Sequence, residues 1–390
     1  MITRIQASNY RCLRSVDQPL GPFHVLVGPN ASGKSTFLDV VAFLRTVVSQ
    51  NLDTAISDRT ENFHDLVWGR QENRFELGID AQIPRFTNAP IKHIASDTVR
   101  YTLAIRIDPT TDTPAIERES LVVATSGDKT PGIEVLSREQ TRVRFRDETG
   151  AQAQEYSFDI PANFSGLASP PPDESRFPAT IGLRGMLSEG VQLVALEPRE
   201  LRKASFPPHR KARFDGSNLA RFVVQLKRDH RQSFKDWQEH LRTTLPDLEE
   251  VRVVLRADDR SRYILLRYTN GVEVPSWMLS DGTLRLMALT LFAYVPGPPG
   301  IFLIEEPENG IHPTGIEAVF QSLSSVYDNQ VLIATHSPII LGLTRPEQIL
   351  CFSKDSQGAT EMLRGDQHPV LKEWKGEVSL SDLFAGGVLG

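Results

Sequence analysis

The sequence predicts an α/β fold with a mainly parallel core sheet, an antiparallel β-rich arm and a helical insertion. Three observations lead to this prediction. A strand, a glycine-rich loop and a helix follow one another near the amino terminus, strands and helices alternate in the last third, and short apolar runs separated by turn residues fill the stretch after the first lobe. These patterns divide the 390 residues into an amino-terminal lobe (1–70), a β-rich arm (71–165), a linker with helical insertion and hairpin (166–270) and a carboxy-terminal lobe (271–390).

Composition and charge exclude several classes of protein. The 43 basic and 49 acidic residues give a net charge of −6, which argues against a wholesale polyanion binder. No apolar run reaches the roughly 18 residues needed to span a bilayer, and the start of the chain lacks the layout of a secretory signal. Two cysteines, Cys12 and Cys351, exclude a disulfide scaffold and a cysteine-rich zinc module. We therefore expect a cytoplasmic protein with no membrane partner.

Periodicity gives the order of the elements. Residues 2–8 and 23–27 read as strands, and apolar residues at helical spacing follow from Phe37 to Val48. The arm contains strand patterns at 75–83, 99–107, 121–125 and 143–146. A helical segment is predicted at 217–245 and a hairpin at 251–255 and 263–268. The last third reads as helix 284–294, strand 301–304, helix 315–327, strand 331–334 and edge strand 349–353.

Residues 28–35 fit the pattern G-x-x-x-x-G-K-[ST] between a predicted strand and a predicted helix, which is the context that this pattern requires. Its glycines let backbone N–H groups turn inward around phosphate oxygens, and the helix start adds its dipole. Lys34 would reach the β- and γ-phosphates, and Ser35 would place its hydroxyl on Mg²⁺. The candidate nucleotide-binding residues of this segment are Asn30, Ser32, Gly33, Lys34, Ser35 and Thr36.

An apolar strand ends in two carboxylates, Glu305 and Glu306. In proteins with a phosphate loop, a strand beside that loop supplies an acid to the Mg²⁺ shell, and Glu305 suits this role. Glu306 would project beyond the strand and orient or deprotonate the attacking water. Two uncompensated carboxylates at a buried strand end are expensive, so a metal is a natural partner. The alternative is a solvated turn at the end of a strand.

Two further segments are candidates. His336 follows the next apolar strand and could hydrogen-bond the γ-phosphate or the attacking water, although a lone histidine is usually structural. Its position one strand after the acidic pair favours the functional reading. Ser280 and the Gly282 amide precede a helix and could bind an anion there, although by itself this segment is an ordinary helix cap.

Together these residues resemble the ATP-binding-cassette ATPases, specifically the soluble branch with SMC, RecF and OLD-type heads. The resemblance implies that 28–36 is the Walker A loop, 279–282 the signature loop and 305–306 the Walker B pair, with His336 as the switch histidine. It also implies that Arg11, in Asn9-Tyr10-Arg11, approaches the nucleotide. Gln71 is the best-placed Q-loop glutamine and metal ligand, although a plain turn residue is its alternative.

Residues 305–313, with 216–220 and 380–390, resemble a prokaryotic group usually labelled predicted AAA-type ATPases, whose heads are of the ABC kind. Members of this group are often stand-alone ATPases in defence or toxin–antitoxin-like settings, and some are paired with a Toprim-like or other nuclease effector. Two positions depart from the wider ABC pattern: Asp281 stands where a glycine is usual, and Glu305 stands where an aspartate is usual.

The resemblance implies a homodimer or higher oligomer in which two heads enclose ATP and Mg²⁺ and switch a partner effector, a nuclease or toxin. A RecF-like DNA-repair clamp and a non-hydrolysing ATP-dependent scaffold remain alternatives. The sequence lacks a sustained heptad repeat and a zinc-hook cysteine pair, and the residues after His336 are too few for a Toprim domain. DNA remains a possible partner because one stretch is basic. Its members are Arg199, Arg202, Lys203, Arg210, Lys211 and Arg213.

Overall fold

The chain folds into a mixed α/β architecture, as predicted, with one mainly parallel and two antiparallel sheets in its described part. The computed structural model describes residues 1–70, 72–82, 98–108, 110–124, 132–148, 155–206, 215–295, 300–326, 328–372 and 380–385. Gln71 and three members of the basic stretch, Arg210, Lys211 and Arg213, lie outside these residues.

The strands are, in chain order, β1 (Ile2–Tyr10), β2 (Leu13–Pro19), β3 (Phe23–Val27), β4 (Arg74–Gln82), β5 (Thr98–Asp108), β6 (Thr113–Ala124), β7 (Ile133–Glu139), β8 (Arg142–Arg146), β9 (Glu155–Asp159), β10 (Val191–Val194), β11 (Leu248–Leu255), β12 (Arg262–Tyr268), β13 (Glu273–Pro275), β14 (Ile301–Glu305), β15 (Gln330–Ala334), β16 (Ile349–Lys354) and β17 (Thr360–Arg364). The helices are α1 (Lys34–Ser49), α2 (Leu52–Ser57), α3 (Pro178–Gly185), α4 (Pro198–Leu201), α5 (Leu219–Asp229), α6 (Arg231–Thr244), α7 (Asp281–Leu291), α8 (Pro313–Ser324), α9 (Pro338–Leu343), α10 (Pro369–Lys372) and α11 (Leu380–Ala385).

The mainly parallel sheet has the order β10-β14-β15-β3-β16-β17, and only β17 runs antiparallel to its neighbour. Every residue of β3 and β15 is buried, because both faces of these strands are covered. In register, Glu305 lies opposite Ala334, and Ala334 lies opposite Leu26. The carboxyl ends of three strands therefore meet at one edge of the sheet.

β15 lies between β3 and β14, the strand that ends in Glu305. One expectation about this sheet is wrong: β16 is not an edge strand, because β17 pairs with it on its outer side. The sequence of β17, Thr-Glu-Met-Leu-Arg, has no apolar run that would have indicated a strand.

The eight-stranded antiparallel sheet has the order β2-β1-β4-β5-β6-β7-β8-β9, so β1 and β2 share a sheet with the strands of the predicted arm. The domain boundaries drawn from the sequence stay a prediction. Helix α1 contributes Phe37 and Phe43 to a core that also includes residues of this sheet and of β14 and β16. Tyr10 packs against Phe43 with ring centroids 5.8 Å apart. The strands β7 and β9 are absent from the prediction because few of their residues are apolar.

The opposite face of the parallel sheet is covered by a second core, built from α5 to α9 and the β11-β12-β13 sheet. The predicted single helical segment at 217–245 is wrong, because the backbone of His230, with φ −137° and ψ 66°, separates α5 from α6. Both helices pack on β11; α5 also packs on β12, and α6 also packs on α7 and α8. Each helix has its own apolar stripe, and the two stripes read as one in the sequence.

In the described part of the chain, no helix is both long and apolar enough to cross a membrane.

Candidate functional site

The loop between β3 and α1 passes directly against β16 and β17. Gly28 has φ +148° and Gly33 has φ +108°, both in the region that favours glycine. A Cβ at Gly28 would overlap the carbonyl oxygen of Phe352, and one at Gly33 would overlap the hydroxyl of Thr360. That hydroxyl donates a 2.8 Å hydrogen bond to the carbonyl of Ser32. The two glycines are therefore required by the close approach of neighbouring strands, as well as by the turn.

The ammonium group of Lys34 lies at the mouth of this loop. Its Nζ donates to the carbonyl oxygens of Gly28, at 2.8 Å, and Pro29, at 2.9 Å. Burial lowers the pKa of the Lys34 ammonium, and the carboxylates of Glu306 and Glu305 oppose that shift. The buried Oγ of Ser32 has no hydrogen-bond partner among the described residues. A loop with an inward ammonium and an unpartnered hydroxyl is suited to an anion such as phosphate.

The two strand-end carboxylates have different surroundings. The hydroxyl of Ser35 donates a 2.7 Å hydrogen bond to Glu305 Oε2. Glu306 has φ +46°, its backbone N–H donates to the carbonyl of Ala334 at 2.8 Å, and its carboxylate accepts from the Asn309 amide. Glu305 therefore faces the start of α1, whereas Glu306 is turned out of the strand.

An open cleft of about 850 Å³ brings these groups together. His336 lines it from the end of β15. Arg11 lines it as well, and its guanidinium lies 3.4 Å from Asp39. The predicted site residues in its lining are Arg11, Asn30, Ser32, Gly33, Lys34, Ser35, Thr36, Glu305, Glu306 and His336. The structure thus gathers residues from distant parts of the chain into one cleft.

Sequence reasoning missed further lining residues, including Cys12, Asp65, Trp68 and Lys354. Lys354 ends β16, a parallel neighbour of β3, so the rule that ligands bind at the carboxyl ends of parallel strands could have found it. Trp68 directly precedes Gly69 and Arg70, which line the cleft as well. An aromatic side chain on a polar turn beside the phosphate loop was the available signal.

Ser280 and Gly282 are not in the lining of this cleft. They lie at the start of α7, where Ser280 Oγ accepts a 3.1 Å hydrogen bond from the N–H of Thr283. A Cβ at Gly282 would overlap the carbonyl oxygen of Gly310, so the start of α7 packs directly on the turn after β14. Within one chain, the predicted signature residues therefore do not meet the predicted phosphate loop.

Asp281, the departure from the usual glycine, has a structural partner. Its carboxylate forms an ion pair with Arg202, whose guanidinium also donates to the carbonyl of Leu279 at 3.0 Å. The backbone oxygen of Arg202 accepts from Ser276. Arg202 therefore holds the segment before α7 on both sides of Ser280, which explains an aspartate at this position.

The described members of the basic stretch are largely engaged within the chain. Besides the Arg202 ion pair, Lys203 pairs with Glu200. Two of the three described basic residues in this stretch therefore already have carboxylate partners, which weakens the stretch as a phosphate-binding surface.

The described residues contain no group of three or more His, Cys, Asp or Glu side chains able to hold a metal by themselves. A Mg²⁺ ion in this cleft would accordingly be held by the oxygens of Ser35 and Glu305 together with phosphate oxygens and water. That donor set fits Mg²⁺, which takes oxygen ligands and commonly relies on one or two carboxylates and substrate phosphates.

The profile of a protein family described as "AAA domain, putative AbiEii toxin, Type IV TA system" matches residues 23–342. Two curated proteins match over shorter stretches. The "OLD nuclease" of Thermus scotoductus (strain ATCC 700910 / SA-01) is 49% identical over 41 residues, 10% of this chain and 8% of that protein. The "Retron Vc95 probable ATPase" of Vibrio cholerae serotype O1 biovar El Tor is 29% identical over 126 residues, 29% of this chain and 24% of that protein. The chain thus spans at most 24% of these relatives.

Two solved structures are similar along nearly the whole chain. An SMC head bound to the C-winged helix domain of ScpA has a TM-score of 0.56 at 14% identity, covering 93% of this chain and 97% of that one. An Smc head domain with an extended coiled coil, bound to the C-terminal domain of ScpA derived from Pyrococcus furiosus, has a TM-score of 0.51 at 12% identity, covering 98% of each chain. At these identities the similarity concerns the fold.

Proposed function

The chain belongs to this AAA-domain family of P-loop ATPases, and from that premise we propose that it binds and hydrolyses ATP between two copies of itself. The ATP-bound dimer acts as a conformational switch for a partner effector. The observation that carries the proposal is the convergence of Lys34, Ser35, Glu305, Glu306 and His336 on one cleft. These groups supply the cation, the metal ligands, the base and the hydrogen-bond donor that phosphoryl transfer to water needs.

Binding is assigned to the loop and the start of α1. Lys34 and the backbone N–H groups of the loop hold the β- and γ-phosphates. Ser35 and Glu305 hold Mg²⁺, which when bound neutralises phosphate charge and fixes the geometry of the phosphates. Arg11, which lines the same cleft, contacts the nucleotide from the turn between β1 and β2.

Hydrolysis is assigned to two residues at the strand ends. Glu306 accepts a proton from the attacking water, and its outward turn leaves its carboxylate free of the Ser35–Glu305 pair. His336 donates a hydrogen bond to the γ-phosphate and stabilises the charge that develops there. The oxygen of water forms a bond to the γ-phosphorus as the bond to the leaving ADP oxygen breaks, which yields ADP and phosphate.

Dimerisation is supported by the position of Ser280 and Gly282 away from the cleft of their own chain. At the start of α7, a helix of 11 residues, they present a helix N-terminus that can close over the γ-phosphate bound by a second copy. Nucleotide then acts as a ligand that favours the closed dimer, and hydrolysis releases it.

The effector is assigned by relationship. The family description names a toxin and a toxin–antitoxin system, and the two relatives are named a nuclease and a retron ATPase. We propose a nuclease or toxin in prokaryotic defence as the partner. A similar fold docks a partner domain in the SMC heads bound to ScpA, which supports a head that acts through another protein.

The experiment compares ATP binding by calorimetry and phosphate release for the wild type, Lys34→Ala and Lys235→Ala. Loss of the Lys34 ammonium is expected to weaken ATP binding about tenfold or more, as for a hydrogen bond to a charged group, and to abolish hydrolysis. Lys235, an exposed lysine of α6, is the matched control and should leave both unchanged. ATP binding that is equal in all three proteins contradicts the assignment of the loop. Wild-type binding without turnover favours the scaffold alternative.

A further inference from the structure

Glu308 joins the turn after β14 to the strand end that carries His336. Its Oε1 accepts a 2.6 Å hydrogen bond from the hydroxyl of Thr335 and a 3.1 Å hydrogen bond from the backbone N–H of His336. The partners lie 27 and 28 positions further along the chain. One carboxylate oxygen therefore connects two segments. One carries Glu306, the proposed base, and the other carries His336, the proposed hydrogen-bond donor to the γ-phosphate.

Thr335 extends this connection on the other side of His336. It is fully buried, so its hydroxyl needs partners within the protein. Besides donating to Glu308, this hydroxyl accepts a 2.9 Å hydrogen bond from the N–H of Ser337. Ser337 in turn caps α9. The backbone on both sides of His336 is thus held, directly or through Thr335, by the Glu308 carboxylate.

The turn that carries Glu308 is fixed to the same strand end. The N–H of Glu306 donates to Ala334, and the N–H of Asn309 donates to the Glu306 carbonyl at 3.1 Å. Glu306 has a positive φ, a conformation that a non-glycine residue keeps only where its surroundings hold it. Releasing Glu308 would therefore loosen Glu306 and His336 relative to each other.

We propose that Glu308 is a positioning residue that keeps Glu306 and His336 in the relative placement that hydrolysis needs. This inference rests on the proposed function of those two residues. Only Oε1 is used, since Oε2 is buried with no hydrogen-bond partner among the described residues. The role needs a hydrogen-bond acceptor at Oε1 but does not need a negative charge. Glutamine should therefore preserve the function of Glu308, and alanine should not.

The test compares Glu308→Gln, Glu308→Ala and the control Glu317→Ala, which removes an exposed carboxylate from the adjacent helix α8. We expect Glu308→Ala to lower kcat about tenfold or more, as small displacements of catalytic groups do, with little change in KM. Glu308→Gln should keep kcat within about threefold, because the amide oxygen is still an acceptor. The control should match the wild type.

A second readout does not depend on turnover. Hydrogen exchange of the His336 amide, followed without nucleotide, should be faster in Glu308→Ala than in the wild type, Glu308→Gln and the control. If the wild type does not hydrolyse ATP, the proposed function fails, and the exchange rates still decide the role of Glu308. Three results would overturn the inference. Glu308→Ala could leave both the exchange rate and kcat unchanged, or the Gln and Ala variants could lose kcat equally. The third is a loss of nucleotide affinity and thermal stability that accompanies the loss of kcat.

Discussion

The hydroxyl of Ser35 and the carboxylate of Glu305 are hydrogen-bonded at 2.7 Å, although 270 positions separate them. One belongs to the first turn of α1 and the other ends β14. The fold thus places two oxygen-bearing side chains, the proposed ligands of Mg²⁺, next to each other. Such preorganisation lowers the entropic cost of assembling a metal site.

Glu305→Gln tests this pair as a Mg²⁺ site. A neutral amide is a weaker ligand for a hard cation than a carboxylate, so the Mg²⁺ concentration for half-maximal hydrolysis should rise about tenfold or more. Chelation with EDTA should stop hydrolysis by the wild type. A Mg²⁺ titration of phosphate release measures both effects, with Glu317→Gln as the control. An unchanged Mg²⁺ midpoint in Glu305→Gln would show that Glu305 is not a ligand.

Gly282→Ala tests the packing of α7 on the turn after β14. The added Cβ would overlap the carbonyl oxygen of Gly310, so the start of α7 or the turn has to move. Because Gly282 lies outside the cleft of its own chain, a single chain should still bind ATP. Hydrolysis, which we propose depends on the α7 of a second copy, should fall at least about tenfold. Calorimetry and phosphate release separate the two effects. Gly185→Ala is the control for a glycine replacement, because Gly185 ends α3 with helical backbone angles and open space around its Cβ position.

Loss of ATP binding by Gly282→Ala, with normal binding by Gly185→Ala, would contradict the separation of signature and cleft.

The two cysteines should differ in reactivity. Cys12 lines the cleft and is partly exposed, whereas Cys351 is buried and its pKa is raised by burial to about 12. A thiol reagent at pH 8 should therefore modify Cys12 alone, and ATP should protect it. Mass spectrometry of the labelled peptides gives the site. Rapid labelling of Cys351 in the folded protein, or labelling of Cys12 that ATP does not slow, would count against this geometry.

The raised pKa of Cys351 also predicts a pH dependence of stability. Between about pH 9 and pH 12 the folded protein keeps a thiol proton that the unfolded chain releases, so the free energy of unfolding falls as the pH rises. Urea unfolding between these pH values should show that the free energy of unfolding falls less steeply with pH for Cys351→Ala than for the wild type. Equal slopes would contradict the buried thiol.

Glu119→Ala tests a buried charge network in the antiparallel sheet. Glu119 and Arg138 have fully buried side chains, and the Glu119 carboxylate accepts from the hydroxyls of Tyr101 and Ser165, at 2.8 Å and 2.6 Å. Removing the carboxylate leaves the buried Arg138 charge without its counterion, which should cost about 3–5 kcal/mol. Glu117 is half-buried on the same strand and pairs with Arg74 and Arg106. Glu117→Ala should therefore lower the free energy of unfolding by about 1 kcal/mol or less.

Urea unfolding of the two variants measures the difference. Similar, small losses for Glu119→Ala and Glu117→Ala would contradict the network.

The residues of the candidate site were largely predictable because each lies at a sequence signal with a local physical cause. Gly28 and Gly33 mark a loop that only glycine can form against β16 and β17. Glu305 and His336 follow apolar strands whose carboxyl ends meet at one edge of the sheet. These patterns are local, so they can be recognised in the sequence without information about tertiary contacts.

The remaining features depend on tertiary contacts that leave no local pattern. The break at His230 lies between two apolar stripes that read as one along the sequence. Only the tertiary packing reveals it: both helices contact β11, α5 also packs on β12, and α6 also packs on α7 and α8. β17 forms a strand because it pairs with the free edge of β16, and not because apolar and polar residues alternate in its own sequence. Arg202 forms an ion pair with Asp281, which is far from it along the chain, and no spacing rule predicts such a pairing.

The central claim, a dimer that encloses ATP, is tested most directly by the native mass of Glu306→Gln with ATP and Mg²⁺. Loss of the general base should slow hydrolysis about 10²-fold or more and preserve the ATP-bound state. The account predicts twice the 43.6 kDa of one chain with nucleotide bound, and a return to one chain when Lys34→Ala is added. A Glu306→Gln protein that binds ATP yet keeps the mass of a single chain would contradict it.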